Sequence, residues 1–154
     1  MPTLAELHRA VQAALAAKRV GRPVFVRYLL QGLDNNETAR ARLVEAAVVV
    51  RSWVDQPLER LYALSGGGQV SLTLQFRDGA TALVSYARAQ PRGDGVDVMV
   101  LGNHGAVYHD AGSARLWDEP PAAPAGPADP AILAAVEKSL RSGKAEPVGK
   151  EGVP

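Results

Sequence analysis

The chain contains no cysteine among its 154 residues. This absence excludes disulfides, thiolate catalysis and zinc or iron–sulfur sites built on cysteine, and it fits a reducing compartment. The chain also lacks a large surplus of positive or negative charge, because 17 Lys and Arg nearly balance 16 Asp and Glu. Nucleic-acid binding normally shows as a basic surplus or stripe. We therefore expect no nucleic-acid partner.

Long apolar runs are absent as well. The longest in the first half of the chain covers only residues 46–50, far short of a membrane span. The N-terminus has no basic segment leading into an apolar one, which argues against a secretory signal. The length and the 47% hydrophobic content fit one globular domain with a real core. These features predict a soluble cytoplasmic protein with no membrane partner.

Three segments have helical patterns. Thr3 and Glu6 form a capping-box pattern before an apolar stripe, which predicts an amphipathic helix over residues 3–18. Residues 37–54 predict a second helix; their run of three valines also fits a buried strand, but the length without Gly or Pro favours the helix. Asp129 as N-cap and Gly143 as the stop predict a short third helix that begins at Pro130.

The remaining apolar segments have strand patterns. Residues 69–76 alternate strictly between apolar and polar side chains, and the Asp78-Gly79 pair that follows is typical of a hairpin turn. The predicted strands cover residues 23–30, 58–64, 69–76, 80–88, 96–101 and 106–108, with a short last one at 113–117. This order predicts an α+β fold, an open, mostly antiparallel sheet of about six strands with helices packed on one face. The other face must then be polar or covered by another subunit.

The domain organisation follows from composition. Residues 1–117 are predicted to form one α+β domain, and residues 118–129 form a Pro/Ala linker that cannot build a packed element. A C-terminal helix over 130–143 and a disordered tail over 144–154 complete the prediction.

Several short motifs suggest chemistry but lack its context. His104, His109 and Asp110 match no metal-ligand spacing, so we expect no metal site. The glycines at 66–68 lack the Lys-Ser/Thr of a phosphate loop and precede a strand, which indicates a hairpin connection. No serine has a Gly-x-Ser-x-Gly setting, so a hydrolase nucleophile has no support.

Glu45 interrupts an apolar helix and allows two interpretations. It can occupy a partly exposed position on the back of the helix, with Arg42 one turn earlier. It can instead be a buried carboxylate that lines a pocket, with a raised pKa and an acid–base role. The first interpretation is favoured.

The order of four segments resembles the C-terminal domain of the glucose–fructose oxidoreductase / inositol dehydrogenase (Gfo/Idh/MocA) family. The segments are 4–27 with its Val-Gly-Arg-Pro step, 51–63 (RSWVDQPLERLYA), 69–85 (QVSLTLQFRDGATALVS) and 98–110 (VMVLGNHGAVYHD). The resemblance covers residues 4–117. It implies a sheet whose open face commonly packs against a second subunit.

The resemblance also implies what to expect of catalysis. In that family a dinucleotide-binding domain with a catalytic lysine precedes this domain, and residues 1–154 hold no Gly-x-Gly-x-x-Gly after a strand. The family's helix carries Asp-x-Gly-x-His-x-x-Asp, whose His and second Asp face the substrate. Counting back from Pro57 puts Ala41 at the first Asp, Glu45 at the His and Val48 at the second Asp. We therefore expect no catalytic residues and no cofactor.

Three functional hypotheses remain. The first is a non-catalytic, homodimerising scaffold or small-ligand-binding module derived from an oxidoreductase domain, and the absent catalytic pattern favours it. The second is the substrate and oligomerisation subunit of a split NAD(P)-dependent oxidoreductase, whose dinucleotide-binding domain is a separate protein. The third, an independent enzyme, would use a candidate pocket formed by Glu45, Arg42 and Arg27.

Overall fold

The computed structural model describes residues 3–88, 95–109 and 129–149. It confirms the α+β class and the open, mostly antiparallel sheet. The helices are α1 (Leu4–Ala16), α2 (Asn36–Val54) and α3 (Pro130–Ser142). The strands are β1 (Pro23–Gly32), β2 (Leu58–Gly66), β3 (Gln69–Phe76), β4 (Thr81–Arg88), β5 (Gly95–Gly102), β6 (Ala106–His109) and β7 (Glu146–Pro147).

The helix ends follow from capping residues in the sequence. The Thr3 hydroxyl accepts a hydrogen bond from the Glu6 backbone N–H while the Glu6 carboxylate accepts one from the Thr3 N–H, which is a complete capping box. Asn35 caps α2 by accepting from the Thr38 N–H at 2.8 Å. Asp129 caps α3 in the same way, and Gly143 ends it in the left-handed conformation.

The sheet has the strand order β6-β5-β1-β4-β3-β2-β7. Of its six pairings only β1 with β4 is parallel, with Phe25 opposite Thr81 and Tyr28 opposite Val84. β1 is therefore a central strand, paired with β5 on its other side. The β2–β3 hairpin closes through Gly67 and Gly68, both with positive φ, as a two-residue hairpin turn requires.

All three helices pack on one face of the sheet. Side chains such as Val26, Tyr28, Val84 and Leu74 point to that face and join buried residues of α1, α2 and α3 in a single core. Their strand neighbours point the other way and belong to no core cluster among the described residues. We call this second side the open face; its larger apolar members among the described residues are Phe25, Leu29, Tyr62, Leu64, Leu83, Met99, Leu101 and Tyr108.

Two glycines of the β5–β6 turn allow a close backbone contact. A Cβ at Gly105 would lie 2.7 Å from the Arg19 carbonyl oxygen, and one at Gly102 would overlap the carbonyl of Val20. The His104 N–H donates to the Val20 carbonyl, and Asn103 accepts from the Arg22 N–H at 2.7 Å. The segment after α1 and the later Gly-x-x-Gly hairpin, two motifs that carried the family resemblance, therefore lie in contact.

The C-terminal segment differs from its prediction as a disordered tail. The two residues of β7 pair with β2, and this makes a seventh strand where about six were expected. The buried Ser139 hydroxyl accepts from the Ala63 N–H and donates to the Lys144 carbonyl, which fixes the end of α3 against β2. Glu146 is held by Lys138 at 2.9 Å. These polar contacts hold the segment together with Val148, which packs against the core and donates its N–H to the Glu59 carbonyl.

Some predictions lie outside the described residues. The short strand over 113–117, the linker as far as residue 128, and residues 150–154 belong to this group. In the part of the chain that the structure describes, no helix is long and apolar enough to cross a membrane.

Candidate functional site

The structure brings together two of the three residues predicted to form a pocket. Arg42 and Glu45 lie on α2 and border a small depression beside Tyr28. Arg27 alternates with the buried Val26 and Tyr28 along β1, so its exposed side chain lies on the open face, across the sheet from α2. Glu45 is exposed, which supports its interpretation as a position on the back of the helix.

The depression contains a histidine–tyrosine pair. The Tyr28 hydroxyl and Nε2 of the half-buried His8 share a hydrogen bond of 2.7 Å. Burial, with a smaller contribution from the Glu45 carboxylate, raises the pKa of Tyr28 above its ordinary value. Burial lowers the pKa of His8. Trp53 packs edge-on against the His8 ring, with the ring centres 5.7 Å apart. The pair is thus neutral at neutral pH.

The space beside this pair is too small for a substrate. Its volume is about 20 Å³, which is on the order of what one water molecule needs. A Tyr hydroxyl with a raised pKa can donate a hydrogen bond but does not act as a base at neutral pH. A substrate-sized molecule does not fit beside Glu45, Arg42 and the pair in this geometry, so the depression gives the independent-enzyme hypothesis no support.

A pH-dependent stability follows from the His8 environment. Because its pKa is lowered on folding, the unfolded chain binds a proton at His8 more readily than the folded chain does. The stability that the neutral His8 contributes is complete above about pH 6.5, the pKa of a histidine in the unfolded chain. It is lost as the pH falls below that value. Between about pH 7.5 and about pH 5, the free energy of unfolding should fall less for His8→Gln than for the wild type. His104→Gln, at an exposed histidine, is the control. Urea titrations at each pH give the free energy of unfolding. An equal fall of this free energy with pH in all three proteins would contradict the prediction.

A second polar cluster joins the end of β1 to α2 and β4. Arg42 Nε donates to Asp34 Oδ2 at 2.6 Å, and the Tyr86 hydroxyl donates to the same oxygen at 2.9 Å. The Asp34 N–H in turn donates to the Tyr86 hydroxyl at 3.0 Å. Burial, with the Asp34 carboxylate adding to it, raises the pKa of Tyr86 to about 12. A Cβ at Gly32 would lie 2.5 Å from that hydroxyl, so a glycine is needed there.

A larger cavity lies beside this cluster. It is an open cleft of about 410 Å³ between the first turns of α2 and the β2–β3 turn. This volume is within the range of small-molecule sites in proteins. We call it the turn cleft; its lining includes Asp34, Arg40, the glycines at 66–68, Tyr86 and Arg88.

The structure describes both histidines of the motif considered from the sequence, but not its aspartate. His104 is exposed in the β5–β6 turn, and His109 lies on β6 opposite Val98. Asp110 lies outside the described residues. Within the described ranges, no group of three or more His, Asp or Glu side chains is placed to hold a metal ion.

Sequence reasoning missed His8, Tyr28, Asp34 and Tyr86. His8 follows Leu7 on the buried side of α1, and both tyrosines occupy core-facing positions of the alternating strand pattern. A polar aromatic residue at such a position was a usable signal, because a buried hydroxyl normally has a hydrogen-bond partner. Asp34 lies in a turn-forming cluster, and nothing in the sequence indicates its contact with Tyr86.

Comparison with solved structures finds the same fold in larger oxidoreductases. Myo-inositol dehydrogenase from Lactobacillus casei, in complex with NAD(H) and myo-inositol, matches 96% of this chain with a TM-score of 0.75 at 16% identity. Myo-inositol 2-dehydrogenase from Lactobacillus plantarum matches 92% with a TM-score of 0.69 at 13% identity. Scyllo-inositol dehydrogenase from Lactobacillus casei matches 66% with a TM-score of 0.58 at 12% identity.

The likeness confirms, at the level of the fold, the resemblance stated from the sequence. The chain spans 60%, 61% and 38% of the length of these three dehydrogenases, consistent with their C-terminal domain. No protein-family model matches the sequence, and a sequence comparison with curated proteins finds no significant match. The likeness therefore shows the fold alone, an α+β domain shared with part of each of these dehydrogenases.

Proposed function

We propose that the chain is a non-catalytic module that forms a homodimer through the open face of its sheet. The observation that carries this proposal is the composition of that face. Phe25, Leu29, Leu83 and Met99 are half-buried and Leu101 is 39% exposed, on neighbouring strands β1, β4 and β5. Clustered apolar side chains on a sheet surface mark interaction sites.

A second copy of the chain fits this surface better than a small ligand does. The five long strands have eight to ten residues each, so the face measures roughly 24 Å by 26 Å at ordinary strand spacing and rise. This area approaches the ~800 Å² that each partner buries in a stable interface. The face also carries charges of both signs, Arg27 and Asp97, so two copies related by a two-fold axis can place opposite charges against each other.

The mass of the full chain in solution tests the proposal. We expect the wild type to sediment as a dimer at micromolar concentration. Leu83→Glu and Met99→Glu should each weaken the dimer by about a hundredfold or more, because each would bury an unpaired carboxylate. Leu33→Glu is the matched control, since Leu33 is 77% exposed in the loop before α2 and lies off the face.

Two outcomes would refute a dimer formed through the open face. A monomeric wild type at these concentrations is the first, and a dimer that survives both open-face substitutions is the second. Circular dichroism of each variant separates loss of pairing from loss of folding.

A second candidate function is the substrate and oligomerisation subunit of a split NAD(P)-dependent oxidoreductase. The observation that favours it is the exposed Glu45, beside Arg42 and the His8–Tyr28 pair, at the position that the resemblance assigns to the family's histidine. A dinucleotide-binding protein would then dock over α2. Recovery of such a protein from the native lysate at one-to-one stoichiometry, and its loss with Glu45→Lys, would support this function; recovery of the homodimer alone would contradict it.

A further inference from the structure

The turn cleft carries charge that its own residues do not neutralise. Arg40 and Arg88 line it, and neither has an ion-pair partner among the residues that the structure describes. Asp34 is the one acidic lining residue, and it is already paired with Arg42 at 2.6 Å. The described part of the cleft is therefore cationic, with two guanidinium groups available.

The frame of the cleft is well defined by hydrogen bonds. The Arg88 N–H donates to the Gly68 carbonyl at 3.1 Å, which ties β4 to the β2–β3 turn. A Cβ at Gly68 would lie 4.0 Å from the Cβ of Arg88, and Gly66 and Gly67 have open space around them. On the opposite side, the contact between Asp34 and Tyr86 fixes the start of α2. A ligand can therefore approach the glycine backbone closely.

The turn cleft is separate from the position that the resemblance assigns to catalysis. Arg40 and Glu45 are five residues apart on α2, so they point about 140° apart around the helix axis. Arg40 faces the β2–β3 turn and Glu45 faces the depression beside His8. The open-face residues Leu83 and Met99 do not line the cleft, so we expect its occupancy not to depend on the proposed dimer.

We propose that the turn cleft binds a small hydroxylated organic anion of monosaccharide size, a phosphate ester or a carboxylate, through Arg40 and Arg88. Guanidinium groups favour these anions because their planar N–H donors match two oxygens at once. The 410 Å³ volume far exceeds that of a single inorganic ion. Ser65 and the glycine backbone supply donors and acceptors suited to hydroxyl groups.

Calorimetric titration of the full chain tests this inference. The probes are glucose 6-phosphate and gluconate, with neutral glucose and inorganic phosphate as comparisons. We expect saturable binding of at least one organic anion, weaker binding of inorganic phosphate and none of glucose. Arg40→Gln and Arg88→Gln should each weaken the binding about tenfold, and the double variant should abolish it.

Arg141→Gln is the matched control, because Arg141 is exposed at the end of α3, away from the cleft. The inference is overturned if neither organic anion binds, or if the double variant binds as the wild type does. Inorganic phosphate binding as tightly as both organic anions would also overturn the assigned ligand class. Repeating the titration with Leu83→Glu, which disrupts the proposed dimer, separates the two proposals: binding should persist there.

Discussion

Replacing Leu43 by alanine is expected to lower the free energy of unfolding by about 3 kcal/mol. Leu43 is fully buried on α2, where it belongs to the core between the helices and the sheet. Alanine is a strong helix former, so the loss comes from the apolar contacts removed and the cavity left behind. Urea unfolding followed by tryptophan fluorescence, to which the buried Trp53 contributes, measures the loss. One fixed protein concentration is used because a dimer would couple stability to concentration.

Glu45→Ala provides the control on the same helix, two residues away and exposed. Its effect should stay within about 0.5 kcal/mol. Equal losses for the two variants would contradict the placement of α2 with Leu43 inside and Glu45 outside.

Replacing Arg42 by alanine is expected to cost about 2–3 kcal/mol at neutral pH. The Arg42 and Asp34 side chains are only 11% and 23% exposed, so the substitution leaves a largely buried carboxylate without its cation. The loss is smaller than for a fully buried pair because water still reaches Asp34. The double variant Asp34→Asn, Arg42→Ala should lose less than the sum of the two single variants, since it removes both charges.

The chain offers a matched exposed ion pair as the control. Arg77 Nε lies 3.1 Å from a Glu59 carboxylate oxygen, but these side chains are 63% and 49% exposed. Arg77→Ala should therefore cost less than about 1 kcal/mol. Additive losses for Asp34 and Arg42 would show that the cluster is not a coupled unit.

The helices were largely predictable because local signals define them. The capping box at Thr3 and the stop at Gly143 placed α1 and α3 to within about two residues, which is the ordinary uncertainty of helix ends. The valine run in α2 fits a strand equally well, and the length of the segment correctly favoured the helix. Six strands were placed by alternation and turn residues, although β1 and β2 each extend two residues further than predicted.

Pairing and polar contacts were not predictable from local patterns. Alternation identifies a strand but not its neighbour, so the parallel pairing of β1 with β4 came only from the structure. β7 has two residues and no apolar period, and the hydroxyl of Ser139 and the charge of Lys138 hold its segment. Arg27 was grouped with Glu45, although it precedes the core-facing Tyr28 in the same strand. Alternation along the strand already puts Arg27 on the other face of the sheet. The cleft between α2 and the β2–β3 turn joins segments too distant for a sequence motif to show.

The central place of β1 has a consequence for synthesis on the ribosome. Its hydrogen-bonded neighbours come late in the chain, because Phe25 pairs with Thr81 and Val26 with Val100. A nascent chain that has emerged only as far as α2 therefore carries an apolar strand with both edges unpaired, a state prone to wrong pairing. The β2–β3 and β3–β4 hairpins are local and can form first, which would give β1 an edge to join. The second edge of β1 must wait for β5, so the order of translation leaves the first strand among the last to be enclosed.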